Sequence, residues 1–493
     1  MVPDVLILGA GIAGVKAAAW LHEAGRSVLV LEQSARIGGR MWDVDFAGAH
    51  VELGANWIEG IPQWENPIWK IGQEIGLRGN YTNQEGSRPE PALYDERGLV
   101  PRAEAQRYHD DFAQIMHAAF NVSCARHFAN QSDISLRAAL TQVGWPDVAR
   151  QTPIQRTLEY FVIDWDFEYP AEQVSLFNYF AVGHADSWRE ACNGGALRPW
   201  RARTAARVGL LGNFSWESPR YFVTDPRGYA AVAEHVAQAF LAPPASSVGR
   251  TRLLFNKTVT HIFHQQSGGV RVRTSDGSEY SGRFAICTFS AGVVNEAIAS
   301  RTLFYPDLPV WKRDAFAKVA NGIYTKIFLK YSRRFWHEAD YVLYADPRHR
   351  GYYAVWQDLE SGGKFFPKGT HLLMVTVVQQ DSRRVESQLK NVTVSEMQAV
   401  LKSLYGEGIP EPTDVLVPRW QSNPAFRGCW SNVAIGATKS DFEMMQRRTG
   451  GLFFAGEATD YDYNGFVAGG FNSGRQVAEQ VERALVEAES VQV

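Results

Sequence analysis

Two glycine-rich turns, an acid at a strand end and a lysine set in an apolar strand are the groups in this chain whose types and spacing could do chemistry. Gly9-Ala10-Gly11-Ile12-Ala13-Gly14 has the spacing of a dinucleotide-binding turn. Gly9 permits the tight turn, Gly11 lets a pyrophosphate approach the backbone, and Gly14 lets helix and strand pack closely. The helix that follows offers unpaired N–H groups to phosphates, and Glu32 is placed to accept hydrogen bonds from the adenosine ribose. A few residues later comes Arg36-Ile37-Gly38-Gly39-Arg40-Met41. A nicotinamide domain has no need of this second turn. A flavin dinucleotide does, because its pyrophosphate and ribityl chain must be held along their length, and Arg40 brings planar, charge-assisted donors there. FAD is therefore the expected cofactor.

In Gly322-Ile323-Tyr324-Thr325-Lys326-Ile327-Phe328-Leu329-Lys330 the period of two sets Tyr324, Lys326 and Phe328 on one face. A lysine on such a face either snorkels to solvent or is buried with a partner and a lowered pKa. Gly54 and Ala55, at the centre of Val51-Glu52-Leu53-Gly54-Ala55-Asn56-Trp57-Ile58-Glu59-Gly60, would let the backbone approach a flat ring flanked by Trp57 and Glu59. Glu59 and the run Asp164-Trp165-Asp166-Phe167-Glu168 either line a channel for a polycation or form a solvated acidic loop. No metal site is expected, because His261 and His264 would point to opposite faces of a strand. Nucleophile elbows and Walker-type loops are absent from the sequence.

The elements that must position these groups alternate in type. Val5–Leu8 reads as a buried strand, Ile12 to Ala24 as a helix, and Val28–Leu31 as a second strand ending on Glu32. From about Glu85 to Arg220 the pattern turns helical, as in Glu104 to Ala119 and Ile134 to Val143. Tyr221 to Tyr229 reads as a strand and turn before a helix through Phe240, and further strands follow at Arg252 to Val259, Val270 to Thr274 and Phe284 to Thr288. A second excursion from Pro309 to about Val417 carries strands at Tyr324 to Tyr331 and His371 to Val378. Gly451 to Glu457 is a buried strand stopping at an acid, and the segment from Tyr463 to Gly470 opens a helix to about Glu487.

At 493 residues and 45% apolar composition the chain is long enough for two domains, and no stretch is apolar enough to span a bilayer. A net charge of −3 without basic runs argues against nucleic acid and anionic membrane as partners. Asn-x-Ser/Thr triplets occur at Asn80, Asn121, Asn130, Asn213, Asn256 and Asn391, against roughly two expected by chance, which points to a secreted glycoprotein. Met1 directly precedes the first strand without a leader, so a removed signal peptide is inferred. Cys124 and Cys192 sit in polar segments and could pair, whereas Cys287 and Cys429 lie in apolar runs.

Gly38-Gly39-Arg40-Met41 followed by Leu53-Gly54-Ala55-Asn56-Trp57-Ile58-Glu59-Gly60 resembles the flavin-containing amine oxidases, most closely the plant and fungal polyamine oxidases. The resemblance implies an α/β fold with an FAD-binding, Rossmann-like domain from 1–84, 219–291 and 418–493, and an α+β substrate-binding domain from 85–218 and 292–417. It places the backbone near Val259 at the adenine end, Glu457 at the ribityl region, Trp420 beside the flavin, and the start of the last helix at Val467 over the ring. The flavin would be noncovalent, since Cys429 stands too early to match the tethering cysteine of monoamine oxidases. Lys326 would sit by flavin N5 through a water, and Tyr324 on the same motif would face the substrate. Glu59, Asp166 and Phe167 would bind substrate, with Asp166 replacing the family's glutamate; Trp430 and Phe466 would form the aromatic cage, replacing a phenylalanine and a tyrosine. The implied activity is oxidation of spermine or spermidine by O2 to an aminoaldehyde and H2O2, in a monomer. Oxidation of another amine or an L-amino acid, and a noncatalytic binding module, are the alternatives.

Overall fold

The computed structural model describes residues 2–59, 66–82, 91–181, 192, 220–241, 250–265 and 269–490. The opening strand Val5–Leu8 lies at the centre of a five-stranded parallel sheet in the order Thr251–Leu254, Val28–Leu31, Val5–Leu8, Phe284–Cys287, Leu452–Phe454. The three central strands are buried along their whole length, as parallel strands covered on both faces must be. Helices Ile12–Glu23, Ala231–Leu241 and Val467–Ser490 cover one face. Small residues set how closely the first and last of these approach. A β-carbon on Gly474 would stand 2.3 Å from the Ala13 carbonyl oxygen, and one on Gly470 would stand 2.7 Å from Ile12.

The other face packs against Ile262, Val270 and Val272 of a mixed four-stranded sheet and against residues between Ala291 and Val319. The segment 292–319, assigned to the substrate side from the sequence, thus shares a core with Leu6, Leu8, Leu29 and Leu31. The strand expected over Arg252 to Val259 is two strands, Thr251–Leu254 and Val259–His264. Asn256 interrupts them at φ 58°, in a turn whose Asn256 and Lys257 N–H groups donate to the Ser34 and Glu32 carbonyls.

A second sheet of seven strands runs Asp414–Leu416, Tyr324–Lys330, Leu372–Val378, Val355–Asp358, Tyr341–Tyr344, Ala92–Asp95, Gly98–Leu99. Its period of two divides Tyr324–Lys330 cleanly. Ile327 and Leu329 join Met397, Val400 and Leu401 of a helix on one side, while Tyr324 and Phe328 join a helical layer on the other. That layer is built on Arg102–Phe128, longer than the sequence reading of 104–119 because its buried stripe continues through Phe120, Ser123 and Cys124. Cys124 and Cys192 form a disulfide across this layer. Phe46, Val51 and Leu53, from the first 84 residues, are buried in the same core. Among the described residues no helix is long and apolar enough to cross a membrane.

Candidate active site

One cavity of about 1230 Å3 runs between the parallel sheet and the seven-stranded sheet. It exceeds the roughly 300–1,000 Å3 of a single small-ligand pocket.

At its first end the walls are backbone. Gly9, at φ 110°, turns the chain against Thr288, and a β-carbon on Gly14 would stand 2.0 Å from the Gly9 carbonyl oxygen. Gly14 therefore serves packing and does not line the cavity, whereas Gly9 and Gly11 do. Gly11 and Gly39 face each other, and the nearest atom to a β-carbon on Gly11 is 3.9 Å away, which leaves a cradle that side chains would fill. No side chain caps the helix that starts at Ile12, so its first N–H groups remain available to phosphate. Glu32 lines this end. Its carboxylate also accepts from Ala10 N (2.7 Å), Ser34 N (2.8 Å) and Ser34 Oγ (2.7 Å), tying the two turns together. Val259 lines the same end.

Arg40 reaches across the cavity, donating to the Cys429 carbonyl and to Glu457 Oε1 at 2.7 Å. The other oxygen of Glu457 accepts from Gly465 N at 2.9 Å and from the Ser431 hydroxyl. The pair thus joins the first flavin motif to the last, and both residues line the cavity. Arg36, which the sequence reading passed over, shapes the second glycine turn by donating to the Ile37, Gly39 and Met41 carbonyls. Its only sequence signal was its place at the head of the Gly-Gly turn. These residues fit a flavin dinucleotide: an uncapped helix start, a side-chain-free cradle and an arginine–carboxylate bridge beyond it.

At the second end the walls are side chains. A β-carbon on Gly54 would stand 1.7 Å from the Arg40 carbonyl oxygen, so glycine is required where the two motifs touch. Lys326 is 3% exposed, which resolves the choice left open by its strand pattern in favour of burial. Its Nζ donates to the carbonyls of Gly54 (2.7 Å) and Glu52 (3.3 Å) and to Asn56 Oδ1 (3.4 Å), and lies 5.5 Å from the Trp57 ring. Burial lowers its pKa, while the nearby Glu52 carboxylate opposes the shift; burial in turn raises that of Glu52. Ala55, Asn56 and Trp57 all line the cavity, and Asn56 is held by donation to the Val223 carbonyl.

Tyr324 and Trp430 pack with ring centres 4.8 Å apart. Gly465 fits against Trp430, where a β-carbon would stand 3.2 Å from the indole, and the residues that follow it, Phe466 and Val467, both line the cavity. Trp420 forms a cluster with Trp42 and Phe426, at 5.9 and 5.1 Å. Cys429 is also at the wall, its thiol donating to the Tyr324 carbonyl at 3.0 Å and its pKa pushed up by burial.

Of the three acids in the run, only Asp166 reaches the cavity, together with Trp165 and with Phe167, which packs on Tyr179 at 4.7 Å. The five residues Tyr160–Asp164 form a widened π turn, and Glu168 ends the segment at φ 53°. Asp164 is held by Arg350, and Glu168 is fully buried against Gly322 and Asn432. These two acids are therefore structural and line no channel. Glu59 does line it, with its pKa pushed up to about 7 by burial against the pull of Arg220. Arg220 is the main residue sequence reasoning missed. It stands 2.9 Å from Glu59 and 3.7 Å from Asp166. It precedes a strand by one residue, and only the pairing of that strand reveals its neighbours.

The chain is similar to known proteins along nearly its whole length. The model of the flavin containing amine oxidoreductases matches residues 12–482. Polyamine oxidase 6 of Oryza sativa subsp. japonica and polyamine oxidase 1 of Zea mays are each 34% identical to the chain, covering 97% of it and 90% of their own length. A solved structure of putrescine oxidase with bound putrescine shares the fold, with a TM-score of 0.69 at 17% identity over 98% of this chain and 99% of that one. The chain therefore belongs to the flavin-containing amine oxidoreductase family.

Proposed function

We propose that this protein is an FAD-dependent polyamine oxidase that converts a polyamine such as spermine or spermidine, with O2 and water, into an aminoaldehyde, a shorter amine and H2O2. The observation that carries the reading is the single cavity lined both by the glycine turns and by Lys326, Glu59 and Asp166. Bound noncovalently along the glycine end, FAD supplies the acceptor for the hydride lost from the carbon beside the amine nitrogen. Tyr324, Trp430 and Phe466 hold the amine by stacking and cation-π contact. With no hydroxyl on Phe466, orientation of the nitrogen rests on packing alone. Lys326 Nζ, desolvated and carrying a lowered pKa, takes up and returns the proton that the two half-reactions exchange. Glu59 and Asp166 set the distal end of the substrate.

A panel of spermine, spermidine, tyramine and L-amino acids, followed by peroxide release, tests the reading. Peroxide from the polyamines first supports it; peroxide only from tyramine or an amino acid overturns it. A colourless purified protein would favour a binding module.

Secretion belongs to the same proposal. The disulfide Cys124–Cys192 and the exposed acceptors Asn80, Asn130, Asn256 and Asn391 support it, while Asn121 is half-buried and Asn213 lies outside the described residues. A mass loss on deglycosylating protein made in a eukaryotic host is the expected result.

A further inference from the structure

The two carboxylates at the distal end of the cavity are already engaged. Arg220 Nε lies 2.9 Å from Glu59 Oε2, and Nη1 lies 3.7 Å from Asp166 Oδ1. The three side chains keep only 10%, 14% and 23% of their exposure respectively. The arrangement is set by the sheet: Ile58 pairs with Tyr221 in antiparallel register, which brings Glu59 and Arg220 opposite each other at the next position. The Arg220 carbonyl is fixed by the N–H of Thr82 at 2.9 Å. All three residues line the cavity, so whatever enters this end meets a guanidinium as well as the acids.

Two carboxylates and one guanidinium carry at most one net negative charge. A distal ammonium would have to share the acids with a cation it repels, and a guanidinium has no lone pair to offer it. A group with an acceptor oxygen and an N–H would be met on both sides: the oxygen by Arg220, the N–H by Glu59 or Asp166. Resting on the polyamine oxidase reading, we propose that Arg220 determines specificity, making the enzyme select polyamines whose distal nitrogen is acylated over those whose distal nitrogen is a free ammonium. Because the Glu59 carboxyl is pushed up to about 7, the trio is closer to neutral in mild acid, which works in the same direction.

The test compares kcat/KM of the holoenzyme for spermidine and spermine with that for their mono-N-acetylated forms, in the wild type and in Arg220→Gln. The wild type should favour the acetylated substrates by at least about tenfold, and Arg220→Gln should bring the ratio to parity or below, mainly through KM. Flavin absorbance and melting temperature report whether the variant is folded. Should Arg220→Gln fail to fold with two uncompensated acids, Arg220→Gln combined with Asp166→Asn removes one charge of each sign and must lose the preference equally. A wild type that uses the free polyamines as well as the acetylated ones, or a ratio unmoved by either variant, overturns the assignment of Arg220 and leaves polyamine oxidation standing. Flavin that stays oxidised with every polyamine, acetylated or free, removes the polyamine reading and this inference with it.

Discussion

The two ends of the cavity are made differently. The cofactor end is backbone, from Gly9, Gly11 and Gly39, clasped by one bridge between Arg40 and Glu457. The opposite end is side chain, with Lys326, Trp430, Asp166, Glu59 and Arg220 arriving from separate stretches of chain. A backbone cradle tolerates no added atoms but is indifferent to most side chains around it. A side-chain chamber can change its substrate by one substitution and keep its fold. The protein thus holds a general cofactor rigidly and exposes its specificity to small changes.

Substitutions can break that contrast in order of effect. Gly54→Val, at the seam of the two ends, should be the most damaging, because its β-carbon would fall 1.7 Å from the Arg40 carbonyl oxygen. Flavin content of the purified protein, read from its absorbance, should drop by more than about tenfold. Lys326→Met should keep the flavin but slow flavin reduction or reoxidation at least about tenfold, roughly 1.4 kcal/mol of barrier. Rapid-mixing measurements of the two half-reactions check this, and unchanged rates would remove Lys326 from the mechanism.

A subtler effect comes from Glu59, whose carboxyl is protonated below about pH 7 and charged above it. KM for free spermidine should fall as pH rises through that value, by about threefold or more, and Glu59→Gln should flatten the profile. Steady-state KM between mild acid and mild base, in both proteins, decides it. The smallest effect on turnover belongs to Cys124→Ser. Removing a disulfide that spans 68 residues should lower thermal stability, by at most about 4 kcal/mol, yet leave kcat/KM within about twofold. A loss of activity without a drop in melting temperature would tie the helical layer to catalysis.

The same contrast explains what could be read in the sequence. Gly9 to Gly14, Glu32 and the Gly38-Gly39 turn lie within one short stretch of chain, and Gly9, Gly14, Gly38 and Gly39 answer local backbone or packing demands while Gly11 leaves room for a ligand, so the cofactor end is legible from local pattern. Lys326 was legible as a charge on an apolar strand face, although only packing shows it buried on Gly54. Within the acidic run, composition alone does not separate Asp164 and Glu168, held by Arg350 and Asn432, from Asp166 at the cavity; the family resemblance singles out Asp166. Arg220 could not be found at all: its role arises from a strand register between residues more than a hundred positions apart. Within the described residues, Ala291 to Val319 likewise join the opening sheet through contacts that no periodicity announces.

The most direct test is to mix the purified, oxygen-free holoenzyme with polyamine, free and mono-N-acetylated, and follow the flavin spectrum. One equivalent of amine per flavin should bleach it completely, with an aminoaldehyde formed in equal amount. A flavin that remains fully oxidised with every amine would contradict the claim that both ends of this cavity serve one reaction.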